Sequence, residues 1–412
     1  SKTKVQLSAA ALNAYPRKRN DEFDLVYPDT LKLDKYKWVK EWYDKPENRN
    51  YDSVLGTDKK PCLIAGVPHT FAWGGLHGAR PHYCESGRFL NVDVASYYPS
   101  LMIRYGFGSR NMSDPKKYEE IYRQRLKYKA EENPLQAPLK IVLNGTYGAM
   151  KDQYNPLYDP RQANNVCVGG QLLLLDLIEK LEPYCDIVQS NTDGILVKLR
   201  DNREEVENIC HEWETRTGMV LEFSEFIKVI QRDVNNYLIV PEGKLYDEKG
   251  KPRWKAKGAV VKKQNSLDYD IPIINESVVN YFLKGIPVEE TVFNCHELIK
   301  FQKIAKVSSK YDYAIYGCTF TTRGGRKWNG DGERLTGKTF RVFASLDDTD
   351  GGMFKYASNK KNPQQFANTS EHSFFINEDI SGMSIPAKLD KQFYIDWAKR
   401  LIEEFTNGKR RK

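Results

Sequence analysis

The sequence lacks the features of a secreted or membrane protein. Its seven cysteines form no Cys-x-x-Cys pair and are odd in number, which argues against a disulfide framework and favours a reducing, cytoplasmic compartment. The longest apolar run, around residues 172–177, is far too short to span a bilayer, and no signal peptide is visible. Since the chain begins with Ser1 rather than Met, we expect a processed N-terminus or a piece of a longer protein.

Composition indicates an ordinary globular protein. Hydrophobic residues make up 40% and charged residues 29% of the 412 residues, and this length predicts two to four domains. The net charge of +8, with a basic cluster at Lys409–Lys412, weakly favours a polyanionic partner. His69, His77, His82 and Cys84 match no common zinc spacing, so ordinary loop roles are favoured for them.

Residues 89–102 contain an acid at the end of a strand. Leu90, Val92 and Val94 alternate with polar or small residues, which predicts a strand with Asp93 off its apolar face. We expect the strand to end at Tyr98-Pro99, where proline removes a donor. Asp93 is then either a solvated strand-end residue or a ligand for a divalent metal.

A basic helix is predicted from Ser113, as N-cap, to about Glu132. It carries two pairs of basic residues spaced four residues apart, Arg123 with Lys127 and Arg125 with Lys129. In most proteins such pairs lie on a helix face exposed to solvent.

A second helix is predicted from about Pro138. Lys140, Asn144 and Tyr147 fall on one stripe of it. Gly145 and Gly148 would let a planar group lie against its backbone. Facing cations on the two helices suggest a grip on a triphosphate.

A β-hairpin is predicted over residues 186–199, with Asp193 at its tip in the turn Asn191-Thr-Asp-Gly194. As a turn residue alone Asp193 is usually structural. Beside Asp93 it supplies a second carboxylate at a strand end.

Other segments give weaker predictions. Trp73–Gly78 forms either a tight turn or a loop that approaches a nucleic-acid backbone. Gly169-Gly170 is expected to open a core helix that ends near Leu181. Residues 1–60 are expected to wrap a surface. Further expectations are helices at 204–217, 272–284, 287–304 and 389–405, strands at 219–231 and 236–240, a basic hairpin at 244–263, and loops and strands over 310–380, including Arg323–Arg326.

Three motifs, in their order, resemble the family B DNA polymerases, most closely the phage-type replicative enzymes. Asp93-x-x-Ser96-x-Tyr98-Pro99-Ser100 resembles motif A, Lys140-x3-Asn144-x2-Tyr147-Gly148 motif B, and Asn191-Thr-Asp193-Gly194 motif C. Each motif alone is weak, but the three occur in register at gaps of roughly fifty residues. The likeness covers about residues 65–265.

The resemblance implies an α+β fold shaped as a right hand. The palm would be an antiparallel sheet backed by helices (89–108 and 151–264), the fingers helical (109–150) and the thumb mixed (265–412). Residues 1–88 would wrap the palm and carry the template-side glycine loop. The implied function is primer extension with dNTPs by two-metal nucleotidyl transfer. The implied partners are primer-template DNA, dNTPs and a possible separate exonuclease or processivity factor. The resemblance also implies a monomer located in the cytoplasm, which is the host cytoplasm if the protein is phage-encoded.

The resemblance also implies residue roles. Asp93, Asp193 and the Val94 carbonyl would hold two Mg²⁺ ions, with Mn²⁺ as an alternative metal. Tyr98 would lie under the sugar and exclude a 2′-hydroxyl. The remaining assignments are Lys140, Arg123 and Lys127 on the triphosphate, Asn144 and Tyr147 in the nucleotide pocket, Gly74 and Gly75 on the template, and Tyr237, Lys257 and Gly258 on the primer.

The chain departs from the family pattern at several points. Asn191 stands where the family usually has Asp, and only 92 residues precede Asp93, so we expect no proofreading exonuclease in this chain. No insertion for protein priming fits between Asp93 and Lys140. Asp350, in Asp348-Thr-Asp350-Gly, fits motif C better literally, and its flanking segments are suited to pairing as a hairpin, but it lies some two hundred residues after motif B.

Two other functions remain open from the sequence. A ribonucleotide or RNA-templated polymerase shares the paired acids, although Tyr98 argues against ribonucleotides. A basic nucleic-acid-binding module would use Asp93 only structurally and would support no Mg²⁺-dependent extension.

Overall fold

A computed structural model describes residues 3–265, 267–317 and 332–407, with the backbone of 320–322 and 325–327. Arg323, Gly324 and the basic cluster Lys409–Lys412 lie outside the described residues. The chain divides into two compact units: the first comprises Ser1–Arg80 with Ser86–Lys228, and the second Pro81–Glu85 with Val229–Lys412.

The first unit combines helices with an antiparallel sheet. Its helices are α1 (Lys4–Ala11), α2 (Lys37–Asp44), α3 (Tyr97–Tyr105), α4 (Pro115–Ala130), α5 (Gln136–Lys151), α6 (Pro160–Leu181) and α7 (Arg203–Thr217), with a 3₁₀ turn at Pro46–Asn48. Its strands are β1 (Val54–Leu55), β2 (Cys62–Ile64), β3 (Val67–Ala72), β4 (Gly75–Ala79), β5 (Tyr83–Val94), β6 (Asp186–Ser190), β7 (Gly194–Lys198) and β8 (Leu221–Asp233), of which β5 and β8 share residues with the second unit.

The sheet of the first unit has the order β1-β3-β4-β6-β7-β5-β8, with β2 beside β3. Its centre is apolar on both faces, because Ile195, Leu196 and Val197 in β7 are all buried. Helix α6 packs against β4 and β7. The expected antiparallel sheet backed by helices is therefore present.

Helix α6 begins at Pro160, well before the predicted start at Gly169-Gly170. The prediction was wrong because the first turns of α6 carry polar residues, which are buried through hydrogen bonds to a distant segment rather than by an apolar face. Gly170 instead permits close packing, since a Cβ there would lie 3.0 Å from a methyl of Leu101. The Tyr97 hydroxyl donates to the Gly170 carbonyl at 2.6 Å.

The polar side chains of α6 bind the backbone of residues 22–36. These bonds explain how a segment with no clear periodicity is held in place, because they use peptide groups rather than a repeating apolar face. They are Asn164 Nδ2 to Glu22 O (3.0 Å), Val26 N to Asn165 Oδ1 (2.8 Å), Lys32 N to Asp176 Oδ2 (2.8 Å) and Tyr36 N to Glu179 Oε2 (2.9 Å).

Helix α1 lies against α5. The Ser8 hydroxyl donates to the Val142 carbonyl at 2.8 Å. A Cβ at Gly145 would lie 2.6 Å from Ser8 Oγ and 3.0 Å from the Lys4 carbonyl, whereas one at Gly148 would lie 3.4 Å from a Val5 methyl. Gly145 thus accommodates α1, and the expectation that this glycine receives a planar ligand was wrong.

The second unit contains smaller sheets and three described helices. The helices are α8 (Pro272–Lys284), α9 (Val288–Phe293) and α10 (Lys391–Thr406), with a 3₁₀ turn at Leu298–Phe301. The strands are β9 (Asn236–Val240), β10 (Lys255–Lys257), β11 (Lys303–Lys306), β12 (Tyr313–Gly317), β13 (Phe320–Thr322), β14 (Gly325–Lys327), β15 (Glu333–Leu335), β16 (Thr339–Ala344), β17 (Gly352–Tyr356), β18 (Gln364–Gln365) and β19 (Ser373–Phe375).

Most predicted elements of the second unit are confirmed, but one helix is not. The basic segment 244–263 supplies one strand of a hairpin, β10, whose antiparallel partner β9 lies before that segment. The helix expected over 287–304 stops at Phe293, and residues 303–306 instead form β11, which pairs with β16. That pairing depends on a strand more than thirty residues away, which local periodicity does not report.

Two findings concern the whole described chain. No helix among the described residues is long and apolar enough to cross a bilayer. The six cysteines that the structure describes are free thiols.

We predict opposite effects of alanine at the two α5 glycines. Gly145→Ala should lower the free energy of unfolding by about 1–3 kcal/mol, because the new methyl group meets α1 backbone. Gly148→Ala, its matched control, should be neutral or stabilise by up to about 1 kcal/mol, because alanine is the better helix former. Urea unfolding of both variants measures this, and equal stability of the two would contradict the packing of α1 on Gly145.

Candidate active site

The β6–β7 hairpin forms as the sequence predicts and lies beside the strand of Asp93. In the β5–β7 register Asp93 is opposite Gly194. The Val94 amide donates to the Asp193 carbonyl at 2.7 Å. The two acids are therefore at adjacent ends of neighbouring strands, with Asp93 half-buried and Asp193 exposed.

The strand of Asp93 ends earlier than predicted. β5 stops at Val94, and Ser96 takes a left-handed conformation with φ 48° and ψ 48°. α3 starts at Tyr97, so Pro99 lies in its first turn, where a missing amide donor costs nothing. The break is made by Ser96 rather than by the Tyr98-Pro99 pair, and it places Tyr98 on the first turn of α3.

The Asp93 carboxylate is fixed by its neighbours. The Asn91 side-chain amide donates to Asp93 Oδ2 at 2.6 Å. A Cβ at residue 194 would lie 2.2 Å from Asp93 Oδ1, so the carboxylate occupies the space that any side chain at Gly194 would need. Glycine at this turn is required by Asp93 as well as by the hairpin.

Arg125 supports the left-handed turn after Asp93. Its guanidinium Nη1 donates to Ser96 Oγ at 3.1 Å, and its side chain is buried. Its buried Nε has no hydrogen-bond partner among the described residues. The sequence suggested only a basic helix face, and no local signal separates Arg125 from its exposed neighbours.

Tyr98 and Tyr147 meet, as their proposed shared role requires. Their rings are 4.6 Å apart in an edge-to-face arrangement. Burial raises the pKa of both phenols, aided by the neighbouring Cys167, so both stay protonated at neutral pH. Cys167 is fully buried and donates to the Trp73 carbonyl at 3.4 Å. This cysteine links the tyrosine pair to the glycine loop, and sequence reasoning gave it no role.

The glycine loop contacts the hairpin turn. A Cβ at Gly75 would lie 3.3 Å from Thr192 Oγ1, so a larger residue would crowd the turn that carries Asp193. Gly74 is exposed, with nothing within 4 Å of an added Cβ.

The predicted cationic residues lie on exposed surfaces of two packed helices. α4 packs on α5, and the Tyr118 hydroxyl donates to the Leu143 carbonyl at 3.3 Å. The N-cap of α4 is Asp114 rather than Ser113. Arg123 forms an ion pair of 2.5 Å with Glu119. The other candidates on these helices are exposed: Lys127, Lys140 and Asn144.

The primer-side candidates belong to the second unit. Tyr237 is opposite Lys257 in the β9–β10 register. Gly258 has φ +110°, and a Cβ there would lie 2.6 Å from Asn236 Oδ1, so this turn needs glycine.

Asp350 has structural partners. Its Oδ2 accepts from Ser345 Oγ at 2.6 Å and pairs with Lys388 at 2.9 Å. Its flanking strands do not form a hairpin with each other: β16 pairs with β11 and β19, and β17 with β12 and β18. These contacts favour a folding role for Asp350.

His69 is a buried support of the hairpin rather than a metal ligand. Its Nδ1 donates to the Val67 carbonyl at 2.8 Å, and its Nε2 accepts from Ser190 Oγ at 2.5 Å. Both ring nitrogens are thus engaged. Within the described ranges no three His, Cys, Asp or Glu side chains gather to hold a metal, so the zinc alternative gains no support.

Comparison with known proteins gives distant similarities. No family model matches the chain. It is 25% identical over 168 residues to DNA polymerase 1 of Saccharolobus solfataricus. The aligned region covers 38% of this chain and 18% of that protein. The family B DNA polymerase of Pyrobaculum calidifontis superposes with a TM-score of 0.47 at 14% identity, over 92% of this chain and 51% of the other. The chain thus spans about half or less of either polymerase.

A shorter protein is matched along nearly its whole length. The chain is 37% identical over 76 residues to the uncharacterized mitochondrial protein ymf34 of Marchantia polymorpha, covering 97% of that protein and 18% of this chain. The chain belongs to the same family as ymf34, whose description names no activity.

The buried state of His69 predicts a pH dependence of stability. Burial lowers its pKa from 6.5 to about 4. Between these values the unfolded chain binds a proton that the folded chain does not, so the free energy of unfolding falls as pH drops through this window. From about pH 7.5 to about pH 5 His69 should account for a loss of about 2 kcal/mol.

Urea unfolding at these two pH values tests the assignment. The His69→Gln variant should lack this part of the loss, whereas the control His211→Gln, whose side chain is 81% exposed, should lose as much stability as the parent. An unchanged pH dependence in His69→Gln would contradict it.

Proposed function

We propose that this chain is a template-directed DNA polymerase of family B, similar to phage-type enzymes, that extends a primer 3′-hydroxyl with deoxynucleoside triphosphates. The observation that carries the proposal is the pairing of the Asp93 and Asp193 strand ends, joined by the bond from the Val94 amide to the Asp193 carbonyl. Tyr98, on the first turn of α3 just after the strand of Asp93, contacts Tyr147.

The acids suit hard divalent cations. Asp93, Asp193 and the Val94 carbonyl supply oxygen atoms only, which are the ligands Mg²⁺ prefers, and water and substrate phosphates normally complete its shell. The bond from Asn91 holds the Asp93 carboxylate in one orientation, so part of the ordering needed for binding is done beforehand. When bound, two Mg²⁺ ions, or Mn²⁺ in their place, would activate the primer hydroxyl and neutralise the leaving pyrophosphate.

The proposed nucleotide site uses the helices around these acids. Tyr98 would lie beneath the deoxyribose, with its ring held by Tyr147, and would exclude a 2′-hydroxyl. Asn144 would help to shape the pocket. Lys140, Arg123 and Lys127 would bind the triphosphate from exposed positions on α4 and α5. Arg125 would act as a positioning residue, because it holds the left-handed Ser96 between Asp93 and Tyr98.

The proposed DNA contacts fall in both units. Gly74 and Gly75 would let the template backbone pass close to the hairpin turn, and Tyr237, Lys257 and Gly258 would contact the primer. In this reading the palm is 89–108 and 151–264, the fingers 109–150 and the thumb 265–412. The proposed activity of these 412 residues is primer extension, without a proofreading reaction.

Asparagine variants test which acids form the site. Asp93→Asn and Asp193→Asn should each reduce Mg²⁺-dependent primer extension by about 10³-fold or more, because each removes a charged ligand. Asp350→Asn should extend normally, although loss of the Lys388 pair should lower stability by about 1 kcal/mol. Steady-state extension of a primed single-stranded template measures the first effect.

The opposite pattern, with Asp193→Asn active and Asp350→Asn inactive, would show that the motif assignment is wrong. Duplex binding without extension by any form, including the parent, would favour the nucleic-acid-binding module.

A substitution at the tyrosine pair tests the choice of sugar. Tyr98→Ala should reduce the preference for dNTP over rNTP, as a ratio of kcat/KM values, on the order of 100-fold, because a 2′-hydroxyl then meets no ring. Tyr98→Phe should keep the preference, since the ring remains. Single-nucleotide incorporation measures both, and a parent enzyme that prefers rNTPs would favour a ribonucleotide polymerase.

A further inference from the structure

A cavity of about 390 Å³ opens beside the glycine loop of the first unit. Three aromatic residues, one acid and one cation contribute to its wall. The lining residues are Glu22, Tyr51, Trp73, Gly74, Lys151, Tyr158 and Pro160. Apart from Gly74, and Trp73 through its carbonyl, none of them takes part in the site described above.

The aromatic wall is rigid. Trp73 is 1% exposed, and its indole N–H donates to the Asn48 carbonyl at 2.9 Å. The Phe23 ring is 4.9 Å from that of Trp73 and 5.2 Å from that of Tyr51. The Tyr51 ring is therefore backed by packed aromatic side chains, so that its exposed face needs no ordering before a ligand binds.

Tyr51 is held at its hydroxyl as well as at its ring. The hydroxyl donates to the Glu22 carboxylate and accepts from the fully buried Asn164 at 3.2 Å. Yet 46% of Tyr51 is exposed. A tyrosine that is fixed at both ends and still open to solvent is suited to stacking against a planar ligand.

Lys151 supplies a positive charge to the same cavity. Its ammonium donates to the Trp73 carbonyl at 3.4 Å and is 5.8 Å from the ring centre of Tyr51. Glu22 is the acid among the lining residues, so a bound anion is disfavoured next to it. A neutral planar group that carries a phosphate on one side, directed to Lys151, fits this distribution of charge.

The cavity adjoins the proposed nucleotide site. Lys151 is also 5.5 Å from the ring centre of Tyr147, and Tyr147 contacts Tyr98. Gly74 belongs both to the cavity and to the loop proposed to guide the template. A template strand that passes this loop has its next unpaired base within reach of the cavity.

We propose that this cavity binds the first unpaired template base beyond the one being copied, stacked on Tyr51, with its phosphate at Lys151. The inference rests on the proposed function and adds to it a subsite for single-stranded template. Stacking of one base on an aromatic side chain is worth about 5- to 150-fold in affinity. Holding that base apart keeps the strand ahead of the primer end from folding back.

The test compares two templates that differ at one position. Both carry a four-nucleotide overhang, and in one of them the second unpaired nucleotide is an abasic tetrahydrofuran residue. Fluorescence anisotropy gives the Kd of each labelled primer-template, without dNTP or divalent metal and at one salt concentration. The parent protein should bind the abasic template about tenfold more weakly.

Variants of Tyr51 decide whether the cavity causes this difference. Tyr51→Ala should bind both templates equally, whereas Tyr51→Phe, which keeps the ring, should retain most of the difference. Tyr154→Ala is the matched control, because Tyr154 is 88% exposed and does not line the cavity. It should behave as the parent does. Circular dichroism melting confirms that each variant is folded.

The outcomes separate this inference from the proposed function. Equal affinity of the parent for both templates, or an undiminished difference in Tyr51→Ala, would overturn the subsite even if primer extension is normal. A difference that depends on Tyr51 without Mg²⁺-dependent extension would retain the base subsite and refute the polymerase. In a third outcome, free deoxynucleoside monophosphate weakens binding of the intact template but not of the abasic template. This would assign the cavity to a free nucleotide and would overturn the template assignment.

Discussion

The close approach of the Asp93 carboxylate to Gly194 is the constraint on which the site depends. It requires β7 to be in register with β5 and leaves no space for a side chain at the hairpin turn. A slip of one residue would put Ile195 against the carboxylate and would reverse the two faces of β7. The β5–β7 register, the glycine at position 194 and the position of Asp193 therefore depend on one another. His69 supports the same arrangement through its hydrogen bond with Ser190, the last residue of β6.

Sequence patterns were sufficient where structure is decided locally. The β6–β7 hairpin, α7, α8 and α10 follow from apolar periodicity and turn residues, and they form close to the predicted bounds. The errors have a common physical cause. The left-handed Ser96, the long α6 and the loss of helix after Phe293 all depend on partners distant in sequence, such as Arg125 for Ser96. A single-sequence pattern contains no information about such partners.

The candidate site was predictable to a similar extent. Asp93, Asp193, Tyr98 and Tyr147 could be proposed from the sequence because their motifs are short and contiguous, and the structure brings the members of each pair together. Arg125 and Cys167 were not found, since one sits in a run of cations and the other in an apolar helix. Their importance comes from burial beside Ser96 and beside the tyrosines, which only the folded chain reveals.

The bonds from α6 to residues 22–36 have a consequence for sequence divergence. The helix side chains recognise peptide groups of that segment, not its side chains. Substitutions other than proline at the exposed positions of 22–36 therefore leave these bonds intact, whereas a change at Asn164, Asn165 or Asp176 leaves a peptide group unsatisfied. Over evolutionary time the exposed positions of the segment are free to drift, while buried Pro28 and Tyr36 and the polar positions of α6 stay fixed. Relatives of this chain should therefore be easier to find through α6 than through the residues it holds.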